Sequence, residues 1–135
     1  MITKELKSKG FASFLAVDSP EQSEFVWKKP LFVGDCTIEG GAKLIIRSDG
    51  TASWVARGRS TDDDDTLSAT FYFFDSNKQK VFPDIKVGPI KIPRGFSVDP
   101  LKIHNPNRWY PWNRGFGFAK SAYAKIYSVS ISISG

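Results

Sequence analysis

The stretch Glu24 to Arg57, EFVWKKPLFVGDCTIEGGAKLIIRSDGTASWVAR, decides the fold. At its centre is Ser48-Asp49-Gly50-Thr51. Asp-Gly between two strand-like runs is a hairpin signal, because a two-residue type I′ turn needs positive φ at both central positions and these residues tolerate it. Closing the turn there sets Arg47 opposite Ala52, Ile45 opposite Trp54 and Leu44 opposite Val55. Ile45 and Trp54 then share one face, and Leu44, Ile46 and Val55 share the other. Both faces are apolar enough for an interior hairpin under a second layer, with Trp54 as the anchor of the core. Upstream, Phe25 to Lys28 reads as strand as far as Pro30, which has no N–H to give a ladder and so marks an edge or a bend. Leu31 to Val33 and Cys36 to Ile38 flank Gly34-Asp35, a bulge or turn, and Gly40-Gly41 reverses the chain into the hairpin.

Downstream, the clearest period-two run is Thr66 to Phe74. Leu67, Ala69, Phe71 and Phe73 fall on one face, which is the pattern of a strand with one side fully buried. Val81-Phe82, Ile85, Val87, Ile90 and Ile92 continue as short extended pieces broken by Pro83, Gly88-Pro89 and Pro93-Arg94-Gly95, so an edge position is expected. Lys86, Lys91 and Arg94 face outward there and blunt the edge. Near the end, Tyr127, Val129, Ile131 and Ile133 form a core face, while Ser128, Ser130, Ser132 and Ser134 form a wet one. The expectation is an all-β fold, a mostly antiparallel β-sandwich or flattened barrel of about 8–10 short strands.

Size and composition bound the rest. At 135 residues the chain is long enough for one core. Residues 1–10 read as a flexible start and residues 11–135 as a single domain, with Phe11 to Val17 as a first edge strand. That apolar run is at the lower limit for the centre of a secretory leader and ends without a small-residue cleavage site, so it is read as part of the domain. No run approaches the roughly 20 apolar residues of a spanning helix. The expected location is cytoplasmic as translated, with export lacking a signal peptide left open. The 19 Lys and Arg against 14 Asp and Glu give a formal net charge of +5. One Cys rules out an internal disulfide, and one His with no Cys/His cluster rules out the common zinc spacings. No cofactor is expected.

The residues Phe25, Trp27, Lys29-Pro30, Val33-Gly34-Asp35-Cys36-Thr37, Gly41-Ala42-Lys43 and Ser48-Asp49-Gly50-Thr51-Ala52 carry a pattern. It resembles an uncharacterised family of small bacterial all-β domains. The likeness covers the middle third well and the last strand loosely, and it implies the fold class and a bacterial origin without bringing an activity or a ligand. Several members of the family it resembles have a second cysteine near the C-terminus. This chain ends Ser130-Ile131-Ser132-Ile133-Ser134-Gly135, so Cys36 has no such partner.

Two segments invite a functional reading. Asp62-Asp63-Asp64-Asp65 cannot be packed in a core and reads as a solvated loop beside Arg57 and Arg59. Its functional alternative is a calcium site shared with Asp35 or Asp75, although the run lacks the alternating spacing that aims ligands inward. The second segment, Asn105 to Phe116, reads as a loop, and a loop has little need of two Trp, a Tyr and two Arg for its own sake. Either Trp109 and Trp112 fold back to plug one end of the sandwich, or Arg108, Trp109, Tyr110, Trp112, Asn113 and Arg114 meet a ligand. Arg57, Arg59 and Arg94 would join them. Sugars stack on indoles and bond to Asn and Arg, and lipid headgroups suit the same aromatic and cationic side chains. Single-stranded nucleic acid ranks lower, because the positive charge is spread along the chain and the aspartate run breaks a basic stripe.

The material for catalysis is thin. The chain has no Gly-x-Ser-x-Gly, no His-Glu-x-x-His and no phosphate loop. His104 paired with a loop aspartate is the one acid–base role that suggests itself. The sequence reading therefore favours a non-catalytic binding module for a glycan or lipid surface. Its alternative is a small bacterial effector, toxin or antagonist acting through protein contact.

Overall fold

A strand with Leu67, Ala69, Phe71 and Phe73 on one face needs a second apolar layer to cover it, and two curled antiparallel sheets supply this. The computed structural model describes residues 2–6, 20–60, 65–92, 96–98, 103–105 and 109–134. In chain order the strands are β1 (Ile2–Leu6), β2 (Gln22–Trp27), β3 (Leu31–Val33), β4 (Cys36–Ile38), β5 (Ala42–Arg47) and β6 (Thr51–Ser60). They continue as β7 (Asp65–Phe74), β8 (Ile85–Ile92), β9 (Phe96–Val98), β10 (Ile103–Asn105), β11 (Tyr110–Gly117) and β12 (Ser128–Ser134). One 3-10 turn, Lys120–Lys125, leads into β12. The first sheet has the order β1-β12-β7-β8, and the second runs β2-β5-β6-β4-β3 with β11 added to the other side of β6. β9 and β10 pair with each other. The fold is all-β, sandwich-like and antiparallel throughout, as the alternation predicts.

The core lies between the sheets. Leu67, Ala69, Phe71 and Phe73 of β7 are fully buried, with Val129, Ile131 and Ile133 of β12 beside them. From the facing sheet come Phe25, Trp27, Leu44, Ile46, Trp54 and Trp112. Trp54 is the hub, with ring centroids 5.8 Å from Trp27, 5.1 Å from Phe71 and 5.6 Å from Trp112, all edge to face. Each such pair adds about 0.5–1.5 kcal/mol beyond the area it buries. The indole Nε1 atoms of Trp27, Trp54 and Trp112 have no hydrogen-bond partner. Ring planes at 76° and 86° are those at which an indole edge meets a neighbour's π face, a partial compensation open to these donors. Ala52 and Ala56, the small residues that flank Trp54 on the inner face of β6, leave space for the indoles, while a Cβ on Gly58 would fall 2.8 Å from Ile92 Cδ1. Trp112 stands directly opposite Ala56.

The central hairpin is shifted by one residue from its expected pairing. Leu44 faces Trp54 and Ile46 faces Ala52. The loop has three residues: the Gly50 N–H donates to the Arg47 carbonyl at 3.0 Å, and Gly50 takes φ +87°. That is a type I turn closed by a left-handed glycine, which the Asp-Gly pair serves as well as it serves a two-residue turn. Because strand side chains alternate, one residue of slip exchanges the faces. Leu44, Ile46, Ala52 and Trp54 therefore share the inner face, while Ile45 and Val55 lie outside, Val55 being 37% exposed. The hairpin is apolar on one face only.

Other expectations are revised in the same way. Ile2–Leu6, expected to be part of a flexible start, pairs along β12. Gly40-Gly41 does not reverse the chain. The reversal is at Gly34-Asp35, and one register runs from Leu31 opposite Ile38 to Trp27 opposite Ala42. Ile85 to Ile92 is one bulged strand rather than several pieces, and it does lie at a sheet edge. Ser128, Ser130 and Ser132 are buried rather than wet. They sit in a central strand opposite Phe74, Tyr72 and Thr70, whose greater bulk shields a short side chain from water. The proposed strand Phe11 to Val17 lies outside the described residues, as does Arg94.

Candidate functional site

Tyr110–Gly117, expected as a loop, is strand β11, and this decides where its functional-looking side chains go. Along a strand, neighbours alternate between faces. Trp112 points into the core at 0% exposure, so the expectation that it meets a ligand is corrected. Tyr110 shares that parity and packs against the core while half-buried. Arg114 shares it too, but sits where the strand is exposed, and its Nη1 donates to the Asn113 carbonyl at 2.9 Å. Trp109, Pro111 and Asn113 take the outer parity. Arg108 lies outside the described residues.

The outer face of this sheet is where the remaining residues meet. Arg57 of β6 stands opposite Pro111, and Val55 opposite Asn113. The Arg59 guanidinium lies 4.5 Å over the Trp109 ring, a cation–π contact worth about 0.5–1 kcal/mol at an exposed site. The third wall comes from an irregularity between β4 and β5. The Glu39 N–H donates to the Arg57 carbonyl at 2.9 Å, and the next paired residue is Lys43, opposite Val55. Gly40, Gly41 and Ala42 thus face the single residue Ala56, a bulge with two extra residues that parts the two strands. Gly41 holds φ +96°, and a Cβ on Gly40 would come within 2.5 Å of the Lys28 carbonyl oxygen. Both glycines are therefore required for this shape.

The bulge opens a groove of about 260 Å³ between Glu39-Gly40-Gly41 and the outer side chains of Val55, Arg57, Pro111 and Asn113. Arg57 Nη2 sits 2.7 Å from each oxygen of the Glu39 carboxylate. The two side chains are 57% and 32% exposed, and pairs of that kind contribute about 0.2–1 kcal/mol. Farther along the same face, Lys43 lies 3.6 Å from Glu24, and Arg47 Nη1 donates to Ser53 Oγ. The groove therefore offers one apolar patch, one amide and an ion pair, with Trp109 two residues before Pro111 outside its lining.

Arg57, Arg59, Trp109 and Asn113 are among the residues that the sequence marks as ligand candidates, the last two there on a loop rather than a sheet face, whereas Glu39, Gly40 and Val55 carry no such mark. The available signal was the adjacent glycines in an otherwise periodic strand, which mark a bulge as readily as a turn. The calcium reading falls mostly on residues outside the described ones. Asp62, Asp63 and Asp64 lie outside the described residues, and Asp65 is described only as the first residue of β7. Asp75 follows the far end of β7, roughly 30 Å away at strand rise. It is also committed to its own turn, where Oδ1 accepts from the N–H groups of Asn77 and Gln79. Among the described residues, no group of three His, Cys, Asp or Glu side chains is placed to hold a metal. Among them, no helix is long and apolar enough to cross a membrane. Asp49 has its carboxyl held below the usual value by bonds from the Thr51 hydroxyl and then from its N–H, which locks the hairpin turn.

Residues 43–134 match a family of unknown function, DUF6294. The chain belongs to this family. The match runs from within β5 to the end of β12, so DUF6294 takes in Val55, Arg57, Arg59, Trp109 and Asn113. Glu39 to Ala42 precede it. Of the residues on which the resemblance to an uncharacterised family rested, Lys43 and Ser48 to Ala52 fall inside the DUF6294 span. Neither a curated protein nor a solved structure matches the chain.

Proposed function

We propose that this DUF6294 protein is a binding module that takes one ring of a glycan in the groove on its outer sheet face. The observation that carries the reading is the bulge at Glu39 to Ala42, which builds a groove beside a polar set of Asn113, Arg57 and Glu39 and the half-buried Trp109. Its volume lies just below the roughly 300 Å³ at which small-molecule sites begin, which fits a single ring held at the surface rather than a swallowed ligand. Hydroxyls would exchange bonds with Asn113 and the Arg57–Glu39 pair, and Val55 and Pro111 would meet the ring's C–H face. Among the described residues, the one carboxylate lining the groove is tied to a guanidinium, which suits holding a ligand better than moving a proton. A lipid-headgroup site is less well supported, because Trp112 is not available to enter an interface.

Titration of intrinsic tryptophan fluorescence with a glycan panel and with anionic vesicles tests the reading. A glycan should shift the spectrum, and Asn113→Ala or Trp109→Ala should weaken binding while leaving the melting temperature within a few degrees. A shift with vesicles alone would contradict it. A second reading, contact with a protein partner, is favoured by one observation: Phe32 on the edge strand β3 is 59% exposed. Loss of partner binding in Phe32→Ser, with glycan binding absent, would support that reading.

A further inference from the structure

We infer that the ligand is an acidic sugar, a glycan carrying carboxylate or sulfate groups. This rests on the glycan reading of the groove. The registers place Lys43, Arg47, Arg57 and Arg59 on the outer face of β5 and β6, against the acids Glu24 and Glu39. Lys28 and Lys29, both exposed, stand at the break in the hairpin opposite Gly40 and Gly41. The face is thus net positive where the groove opens, and a positive cleft raises the local concentration of anions. At its rim Arg57 holds the Glu39 carboxylate with Nη2 2.7 Å from both oxygens. Glu39 occupies the position a ligand carboxylate would take. The pair is partly exposed, Arg57 more than Glu39, and pairs of that kind contribute about 0.2–1 kcal/mol, so an incoming anion would compete with Glu39 for the guanidinium. Charge alone would suit a polynucleotide too, but the cations are interleaved with Glu24 and Glu39 rather than set in a continuous stripe, and Arg59 already covers one side of the Trp109 ring.

The sign of the Glu39 effect makes the inference testable. Calorimetric titration would use a neutral oligosaccharide, a uronic acid oligosaccharide, a sulfated oligosaccharide and an oligonucleotide of matched charge, at low and physiological salt. An acidic sugar should bind at least about tenfold more tightly than the neutral one and weaken with salt. Arg57→Gln should weaken it about tenfold, whereas Glu39→Gln should strengthen it about threefold by removing the competing carboxylate. Lys86→Gln, on the edge of the other sheet, should change nothing. If neutral and acidic sugars bind alike and Glu39→Gln brings no gain, the groove still binds glycans and the acidic inference falls. If no sugar binds, both fall. If the oligonucleotide binds as tightly as the acidic sugar, or Lys86→Gln weakens binding as much as Arg57→Gln, the face reads charge alone and the inference is overturned.

Discussion

The two faces of β6 are built from the same ten residues and do opposite work. The inner row, Ala52, Trp54, Ala56, Gly58 and Ser60, is buried; the outer row includes Val55 and Arg57, both exposed. β11 and the residue before it repeat the division, with Trp112 sealed in the core and Trp109, just ahead of the strand, half-buried under Arg59. An indole is thus not a ligand platform by composition. Its parity within the strand decides its role, and register sets the parity.

The sharpest way to break this comparison is to truncate the indoles in turn. Trp54→Ala and Trp112→Ala should each cost about 3–5 kcal/mol in denaturant unfolding, whereas Trp109→Ala should cost under about 1 kcal/mol. Equal losses at Trp109 and Trp112 would erase the division of faces. A smaller effect tests the register itself through two left-handed glycines. At Gly50 a Cβ would fall 2.5 Å from the Phe118 carbonyl oxygen, while at Gly34 nothing lies within 4 Å. Gly34→Ala should cost about 1 kcal/mol from backbone strain alone, and Gly50→Ala clearly more, up to about 3 kcal/mol. The outer face should tolerate charge changes better still. Glu39→Gln should change stability by less than about 1 kcal/mol even though it removes an ion pair.

The smallest effect concerns pH. The folded-state pKa of Asp49 is lowered by the Thr51 bonds, so its contribution is present above the ordinary carboxyl pKa of about 3.9 and is lost as pH falls through the lower folded value. The stability difference between wild type and Asp49→Asn should therefore shrink on acidification below about pH 4 and stay flat above it. A difference that grew with acid would contradict the turn geometry.

Much of the inner face was legible in the sequence and little of the outer. Leu67, Ala69, Phe71 and Phe73 announce their strand by strict alternation, and Trp54 stood out as a core anchor. Asp49-Gly50 located the hairpin, but two turn types share that dipeptide and differ by one residue of register, enough to send Ile45 and Val55 outward. Pro106, Pro111 and the asparagines suggested a loop at Asn105 to Phe116. Pro111 is in fact tolerated because, among the described residues, β11 pairs with β6 alone and so lies at an edge. The groove was hidden because it depends on Glu39 and Asn113 lining one depression from either side of β6, an arrangement with no local signature.

The most direct test is a two-dimensional amide and indole NMR titration of the protein with a uronic acid oligosaccharide. The groove account predicts shifts at the Trp109 indole, at the Asn113 side-chain amide and along Val55 to Arg59, with the Trp27, Trp54 and Trp112 indoles unmoved. Shifts led by the Trp112 indole, or a silent outer face while other surfaces respond, would contradict it.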